Sequence, residues 1–361
     1  MLESRKLSLP QMTIMMHPTI LATAALYVPS STIRIAGTDS WMVPLLASIV
    51  GFCTVYVMVR LHDRYPQHTF IEYCPRILGR WAGQALAFAY LLSFLYSLGI
   101  ILREYGEFLV GQFLIETPQL VVIVCLVAIC AYALYMGLEV LARFSELAVL
   151  IAIGMIVTLV CFMIPDMKIR ELLPFLENGI QQPLRGAITP ASWFSQFFIV
   201  SFLLPYVNRQ DKVMKWGIIS VVIVQLTFFS INISSQLVFG TMSGELQYPF
   251  LIAIRYISSA DFFQHLEALL MAIWLIGMFV KVASLYYVLV LGSAQWLRLS
   301  GYRVLIFPVG VLGVLCSIWV APNLQVLTHL LEATVPYFAL LMQFVIPVLL
   351  LMIATVRGRA S

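Results

Sequence analysis

"LPQMTIMMHPTILATAALYVPSSTI", Leu9 to Ile33, is long and apolar enough to cross a bilayer as one helix. Yet it holds Pro10, Pro18 and Pro29 around a centre of small residues, Ala22 to Ala25. Proline removes a backbone donor and clashes with the preceding turn, so such a helix is a candidate for local unwinding. The freed backbone groups are tolerated at membrane depth only where they face protein or water. The same signature returns in "GAITPASWFSQFFIVSFLLPYVN", Gly186 to Asn208, where Pro190 and Pro205 flank a small and polar centre from Ser192 to Gln196. A single proline also kinks packed membrane helices with no further role; the recurrence is what carries meaning.

Outward from these segments, the chain of 361 residues is 61% hydrophobic and 11% charged, with a mean hydropathy of +0.96, which places it among polytopic membrane proteins. A window of about 19 residues finds ten apolar stretches able to span a bilayer. Their limits lie near 9–33, 41–60, 81–102, 119–138, 147–165, 188–207, 216–240, 266–297, 304–321 and 334–356, spans 1 to 10 below. With residues 1–8 in the cytoplasm, fourteen Lys and Arg fall on inner segments and six on outer ones; Lys281, inside span 8, completes the total of 21. The positive-inside rule therefore places both termini in the cytoplasm. Reading the first apolar run as a cleaved signal peptide would leave nine spans and put the C-terminus on the wrong side of that count.

Ten spans divide as five plus five, each half opening on one of the proline-bearing segments. The expectation is an all-α membrane protein of one transporter-like domain over 1–361, built as an inverted repeat with broken helices 1 and 6. Repeat one covers about 9–165 and repeat two about 188–356. No connection is long enough for a soluble domain, and neither a P-loop nor a GxGxxG is present. The net charge of +4 sits in inner loops, so it does not indicate nucleic acid. Six scattered cysteines include no CxxC pair and suggest no disulfide framework, metal site or redox centre. No Ser/His/Asp set, Cys/His pair or HExxH motif appears, so the reading is neither an enzyme nor a cofactor protein.

Broken helices offer half-helix N-termini to a carboxylate and unwound carbonyls to an ammonium or cation, which suits a zwitterion such as an amino acid. The candidate ligand residues are Thr23, Ala24 and Ala25 in span 1 and Ser192, Trp193, Phe194, Ser195 and Gln196 in span 6, with Phe198 and Tyr287 as further candidates for an apolar compartment. "MFVKVASLYY", Met278 to Tyr287, adds a charge: Lys281 lies fourteen positions after Glu267 and seventeen before Arg298. At about 1.5 Å per residue it is roughly 20 Å from either flank, too far to snorkel, so the ammonium needs an internal partner or a wet cavity. Two readings stand side by side. Lys281 takes the place of a coupling cation, held by carbonyls around Ala22 to Ala25 and the Ser284 hydroxyl, or it is a strut paired with Gln196, Gln225 or a tyrosine.

Other polar groups read as structural. Arg103, Glu104 and Glu107 look like a solvated helix end or subunit contact, and Glu139, Arg143 and Glu146 like a ladder across an inner turn. Asn232 opens a glycosylation pattern but falls inside span 7. His17 beside Pro18 reads as a polar packing group, with gating the alternative.

These residues bring a family into view. The chain resembles the GerAB-type spore germination permeases, the B subunits of nutrient germinant receptors in endospore-forming bacteria, within the amino acid-polyamine-organocation superfamily. The resemblance is carried by "AGTDSW" (Ala36–Trp41), "RYPQHTFIEYCPRILGRWAG" (Arg64–Gly83), "LREYGEFL" (Leu102–Leu109), "ETP" (Glu116–Pro118) and "YMGLEVLARFSE" (Tyr135–Glu146). It continues in "LPFLENG" (Leu173–Gly179), "LLPYVNRQDKVMKWG" (Leu203–Gly217) and the span-8 lysine. It implies a LeuT-like ten-helix fold, amino-acid or other nutrient sensing in the spore inner membrane, and partnership with a membrane A subunit and a lipoprotein C subunit. The alternative is a proton-coupled or uncoupled amino acid transporter, and a third possibility is a pore along the same path. Two departures stand out: Thr23-Ala24-Ala25 where superfamily permeases usually have glycines, and Ser195-Gln196 where relatives often have Gly-Glu.

Overall fold

The computed structural model describes residues 7–177, 179–256 and 266–358, which are almost wholly helical. Arg5, Lys6 and Arg359 of the inner basic set, and both chain ends, lie outside the described residues. Eight helical runs among the described residues are long and apolar enough to cross a membrane, or nine when Arg303–Trp319 and Leu324–Ala333, bent by 100°, count as one span. The first run, Leu9–Arg64, holds two helices, α1 (Leu9–Ala36) and α2 (Val43–Arg64), joined by a 3-10 turn. Each of the ten apolar stretches thus has its helix.

Local chemistry sets the ends of α1. Ser8 Oγ accepts from the Gln11 backbone N–H at 3.3 Å and Gln11 Oε1 from that of Ser8 at 3.0 Å, a reciprocal cap, and Pro10 sits in the first turn where no helical donor is lost. Gly37, at φ 56°, takes the left-handed turn that ends the helix. The entry to α1 is stitched to the far end of span 6: the Leu7 N–H donates to Tyr206 O at 2.7 Å, and the Asn208 N–H to Leu7 O at 3.0 Å.

After α2, the short helix α3 (Phe70–Leu78) buries Phe70, Ile71, Tyr73, Cys74 and Ile77. Gly79, at φ 91°, turns the chain into α4 (Arg80–Gln112), followed by α5 (Gln119–Met136) and α6 (Leu138–Met163). Span 6 is segmented: α7 (Gln181–Gly186), α8 (Ile188–Ser195), a 3-10 turn at Gln196–Ile199, α9 (Val200–Leu203) and a second 3-10 turn at Leu204–Tyr206. Then come α10 (Val213–Phe239), α11 (Pro249–Tyr256), α12 (Leu266–Trp296), α13 (Ile306–Trp319) and α14 (Leu324–Ala333). Span 10 is α15 (Val335–Leu340), one π-helical turn at Leu341–Val345, and α16 (Ile346–Arg357).

Span 6 is the centre and span 10 the rim: 89% of the apolar window in Gln181–Tyr206 is buried, against 22% in Val335–Arg357. α1 packs mainly on α10, α12 and α6. α5, α6, α13 and α16 turn Tyr132, Leu147, Phe307, Trp319 and Met352 outward, the apolar belt that a lipid-facing surface requires. "AGTDSW" is a structural lock rather than a ligand motif. Asn232 Nδ2 donates to Ser40 O at 2.9 Å, Ser40 Oγ to Gln236 Oε1 at 2.7 Å, and Gln236 Nε2 to Thr38 O at 2.6 Å, so the α1–α2 turn is held on α10.

Candidate functional site

The two proline-bearing spans differ. In span 6 the winding changes, from α-helix to the 3-10 turn at Gln196–Ile199. Span 1, expected to be broken, is not: α1 stays helical across Pro18 and Pro29, and two of its carbonyls accept further donors from α12. Lys281 Nζ donates to Thr19 O at 2.6 Å, and Trp274 Nε1 to Ala22 O at 2.7 Å. A carbonyl has two lone pairs, so the helix can keep its own ladder while side chains use the second.

Lys281 is 1% exposed and sits in the interior of α12. Its second partner is Gln196 Oε1 at 2.9 Å, at the start of the 3-10 turn in span 6. An ammonium has three donors, and these two acceptors leave one. The lysine lines a cavity of about 30 Å³ with Thr19 from α1, Phe94, Ser97 and Ile101 from α4, Gln196 and Ile199 from span 6, Leu285 from α12, and Gln343 from the π-helical turn of span 10. Among these lining residues Lys281 carries the one formal charge. Gln343 Oε1 also accepts from Ser195 Oγ at 3.2 Å, and the Tyr90 hydroxyl donates to Met342 O, so the π turn is anchored on both sides. Turns of this kind recur at functional sites because they re-aim side chains and carbonyls.

A second cavity, of about 60 Å³, lies on another side of α1, between α1, α6, α10, α11 and α12. His17, Pro18, Ala22 and Ala25 line it, with Ala148, Ile231, Trp274 and Gly277 among the residues opposite. His17 Nε2 meets Thr227 Oγ1 at 3.1 Å and is otherwise packed, the geometry of a polar packing group.

Of the residues singled out in the sequence, Gln196 and Lys281 meet in the first cavity and Ala25 lines the second. Thr23 Oγ1 accepts from Trp193 Nε1 at 2.8 Å, an interhelical contact between spans 1 and 6. Ala24 is buried, and Ser192 Oγ donates to Thr189 O within its own turn. Phe194 packs toward Gly51 and Phe228 on the α2 and α10 side, and Phe198 lies among the Phe70, Tyr90 and Phe94 rings. Tyr287 stacks edge-on against Tyr302.

Three further expectations are corrected. Lys281 is held by the Thr19 carbonyl rather than by carbonyls around Ala22 to Ala25, because its side chain turns into the α4 side of α1. The Ser284 hydroxyl donates to Val280 O, four residues back, as hydroxyls in apolar helices do, and does not reach the lysine. Glu104 is no solvated helix end: it is 1% exposed, because α4 continues to Gln112 and carries that face under neighbouring aromatic rings. Its neighbours Arg103 and Glu107 do pair, at 2.7 Å, and so do Arg143 and Glu139, at 2.6 Å.

Thr19, Ser97 and Gln343 are site residues that the sequence does not single out. Gln343, a lone amide in the apolar run of span 10, carried a legible signal; Thr19 and Ser97 resemble the many hydroxyls that bond their own helix.

The family described as "Spore germination protein" matches residues 6–325. Spore germination protein KB of Bacillus subtilis (strain 168) is 30% identical over 367 aligned residues, which cover 98% of this chain and 95% of that protein. Spore germination protein YndE of the same strain is 26% identical, over 99% of this chain and 98% of its own. Among solved structures, MhsT in complex with L-phenylalanine superposes with a TM-score of 0.69 at 12% identity, covering 97% of this chain and 99% of MhsT. A nucleobase-cation-symport-1 family transporter in a closed conformation with bromovinylhydantoin bound gives a TM-score of 0.62 at 15% identity, covering 94% and 75%. At such identities the likeness is one of fold, and the fold is that of LeuT-like transporters.

Proposed function

The chain belongs to the spore germination protein family, and on that premise we propose that it is the nutrient-sensing subunit of a spore germinant receptor, capturing a small carboxylate-bearing nutrient, an amino acid above all, in the Lys281 cavity. Family and fold already give it a germinant-receptor-like or transporter role within a membrane. The observation that carries the finer reading is the Lys281 ammonium, with one donor left over, in a cavity walled by spans 1, 3, 6, 8 and 10. An unspent ammonium among neutral amides and hydroxyls attracts a carboxylate, and Gln196, Gln343 and backbone carbonyls can accept from an amino group.

The cavity holds a few water molecules at most, whereas small-molecule sites commonly run to about 300 Å³ or more, so a ligand requires its walls to part. The segmented span 6 and the π turn of span 10 are the movable walls. A ligand that binds the parted arrangement better shifts the population toward it; one that binds both equally shifts nothing. The signal passes to partners, an A subunit and a lipoprotein C subunit, through that change in helix packing. With this reading go the two repeats, about 9–165 and 188–356, the spore inner membrane or cell membrane, and both termini in the cytoplasm.

The test is binding of a panel of radiolabelled amino acids to the purified chain in nanodiscs. The expectation is saturable binding of a subset, abolished in Lys281→Met with helical circular dichroism unchanged; binding that survives the substitution removes the cavity from the reading. Transport remains the second reading, favoured by the transporter fold itself. Net flux of the bound amino acid into vesicles holding this chain alone would place transport first.

A further inference from the structure

Glu104 is the least expected charged group in the fold. It is 1% exposed, and its Oε1 has no hydrogen-bond partner among the described residues. Ser97 and Ile101 line the Lys281 cavity, and Glu104 follows them by seven and three residues, on the same face of α4 and one turn farther along. On α12, which runs past α4, Trp274 precedes Lys281 by seven residues, again on one face. The two faces meet beyond Glu104, where the Phe108 and Trp274 ring centroids are 4.3 Å apart and Tyr105 stacks on Trp274 at 5.6 Å. Phe108 also meets Tyr248 at 5.0 Å, and Tyr248 meets Tyr27 at 5.5 Å with hydroxyls 3.3 Å apart. Glu104 therefore lies in a layer between the lysine cavity and an aromatic plug.

A carboxylate taken out of water is sustained by a close counter-charge, by full hydrogen bonding, or by a proton. Full hydrogen bonding is absent at Oε1. The titratable groups on neighbouring elements near enough to act on Glu104 electrostatically are Lys281 on α12, Tyr27 on α1 and Tyr248 before α11. On its own helix Arg103 and Glu107 are taken up with each other at 2.7 Å. No ion pair within contact distance joins Glu104 to Lys281 among the described residues; there the ammonium meets Thr19 O and Gln196 Oε1.

We propose that Glu104 is a proton-binding site, and that Lys281, the ammonium one layer below, sets its occupancy. With the ammonium's charge available the carboxylate is sustained as the anion; without it, one Glu104 oxygen takes a proton from hydronium, an O–H bond forming, water left behind and no electron changing hands. The site stands whether or not the cavity takes a nutrient.

The experiment is a pH titration of the carboxylic acid carbonyl band by infrared difference spectroscopy on the purified chain in nanodiscs, with no nutrient added. Wild type is expected to show a buried carboxyl band that Glu104→Gln removes. Lys281→Met is expected to move its midpoint upward by about one pH unit or more, the usual effect of losing an opposite charge. Lys281→Arg keeps the charge and is expected to hold the midpoint near wild type, separating electrostatics from misfolding. A spectrum that Glu104→Gln leaves unchanged at every pH overturns the site. A midpoint indifferent to Lys281→Met overturns the control by lysine. A band that exchange of choline chloride for NaCl or KCl abolishes at constant pH makes Glu104 an alkali-cation ligand instead, which also overturns it.

Discussion

Two cavities flank the same stretch of α1, and they are built from opposite chemistry. On one side Thr19, Gln196 and Gln343 surround an ammonium; on the other Pro18, Ala22 and Ala25 face alanines, isoleucines and an indole. The second lies where the cation-surrogate reading placed a charge. The structure puts Trp274 there, its N–H on Ala22 O, and sends the lysine to the other side. Helix carbonyls keep a second lone pair in every direction around α1, and the neighbouring helix decides which meets an ammonium and which an indole N–H.

If that contrast is real, substitutions on the two sides should separate. The largest effect is expected from Lys281→Met, which removes the charge-assisted contacts of the polar cavity. Each such bond is worth about 1.5–3 kcal/mol, so the affinity of any amino acid found to bind should fall at least tenfold by equilibrium dialysis. Gln196→Leu comes next. It leaves the buried ammonium with Thr19 O as its sole acceptor among the described residues and should cost about 1.5–3 kcal/mol, visible as a lowered thermal unfolding midpoint in detergent. An unchanged midpoint would mean that Lys281 finds another partner and that the polar cavity is less defined than described.

Trp274→Phe tests the apolar side while keeping most of its volume. Loss of one neutral hydrogen bond predicts about 1 kcal/mol in the same unfolding assay and little change in amino-acid affinity. The smallest effect, of opposite sign, belongs to Gly277→Ala. A Cβ there would meet Ala22 Cβ at 3.4 Å, ordinary contact, so the helix should gain about 0.5–1 kcal/mol with affinity unchanged. A large loss of binding from either apolar-side variant would assign the ligand to the wrong cavity and reverse the comparison.

The same contrast marks the limits of reading the chain unfolded. Gln196 was legible as a partner for Lys281, since a buried lysine needs a polar acceptor and few exist in the spans. The sequence disguises Glu104 as a helix-end residue, because it follows the apolar run of span 3 and sits beside Arg103 and Glu107, which do make the expected helix-end pair. Only the continuation of α4 under the Trp274 and Tyr248 rings buries it. Thr23 and Trp193, both candidates from the sequence, bond each other across spans 1 and 6, a contact that no spacing along the chain reveals.

The sequence by itself determined the apolar stretches, their pairing into halves and the presence of one charge in the interior of span 8. A bilayer demands about 20 apolar residues per crossing, and backbone groups there must be satisfied, so length, proline and lysine speak plainly. The rotation of each helix was decided only by tertiary structure. α1 and α12 are buried on nearly every side, so no polar face betrays which way a residue points. Packing against α4, α6 and span 6 settled that Lys281 turns to Gln196, Trp274 to Ala22, and Glu104 inward beneath the aromatic plug.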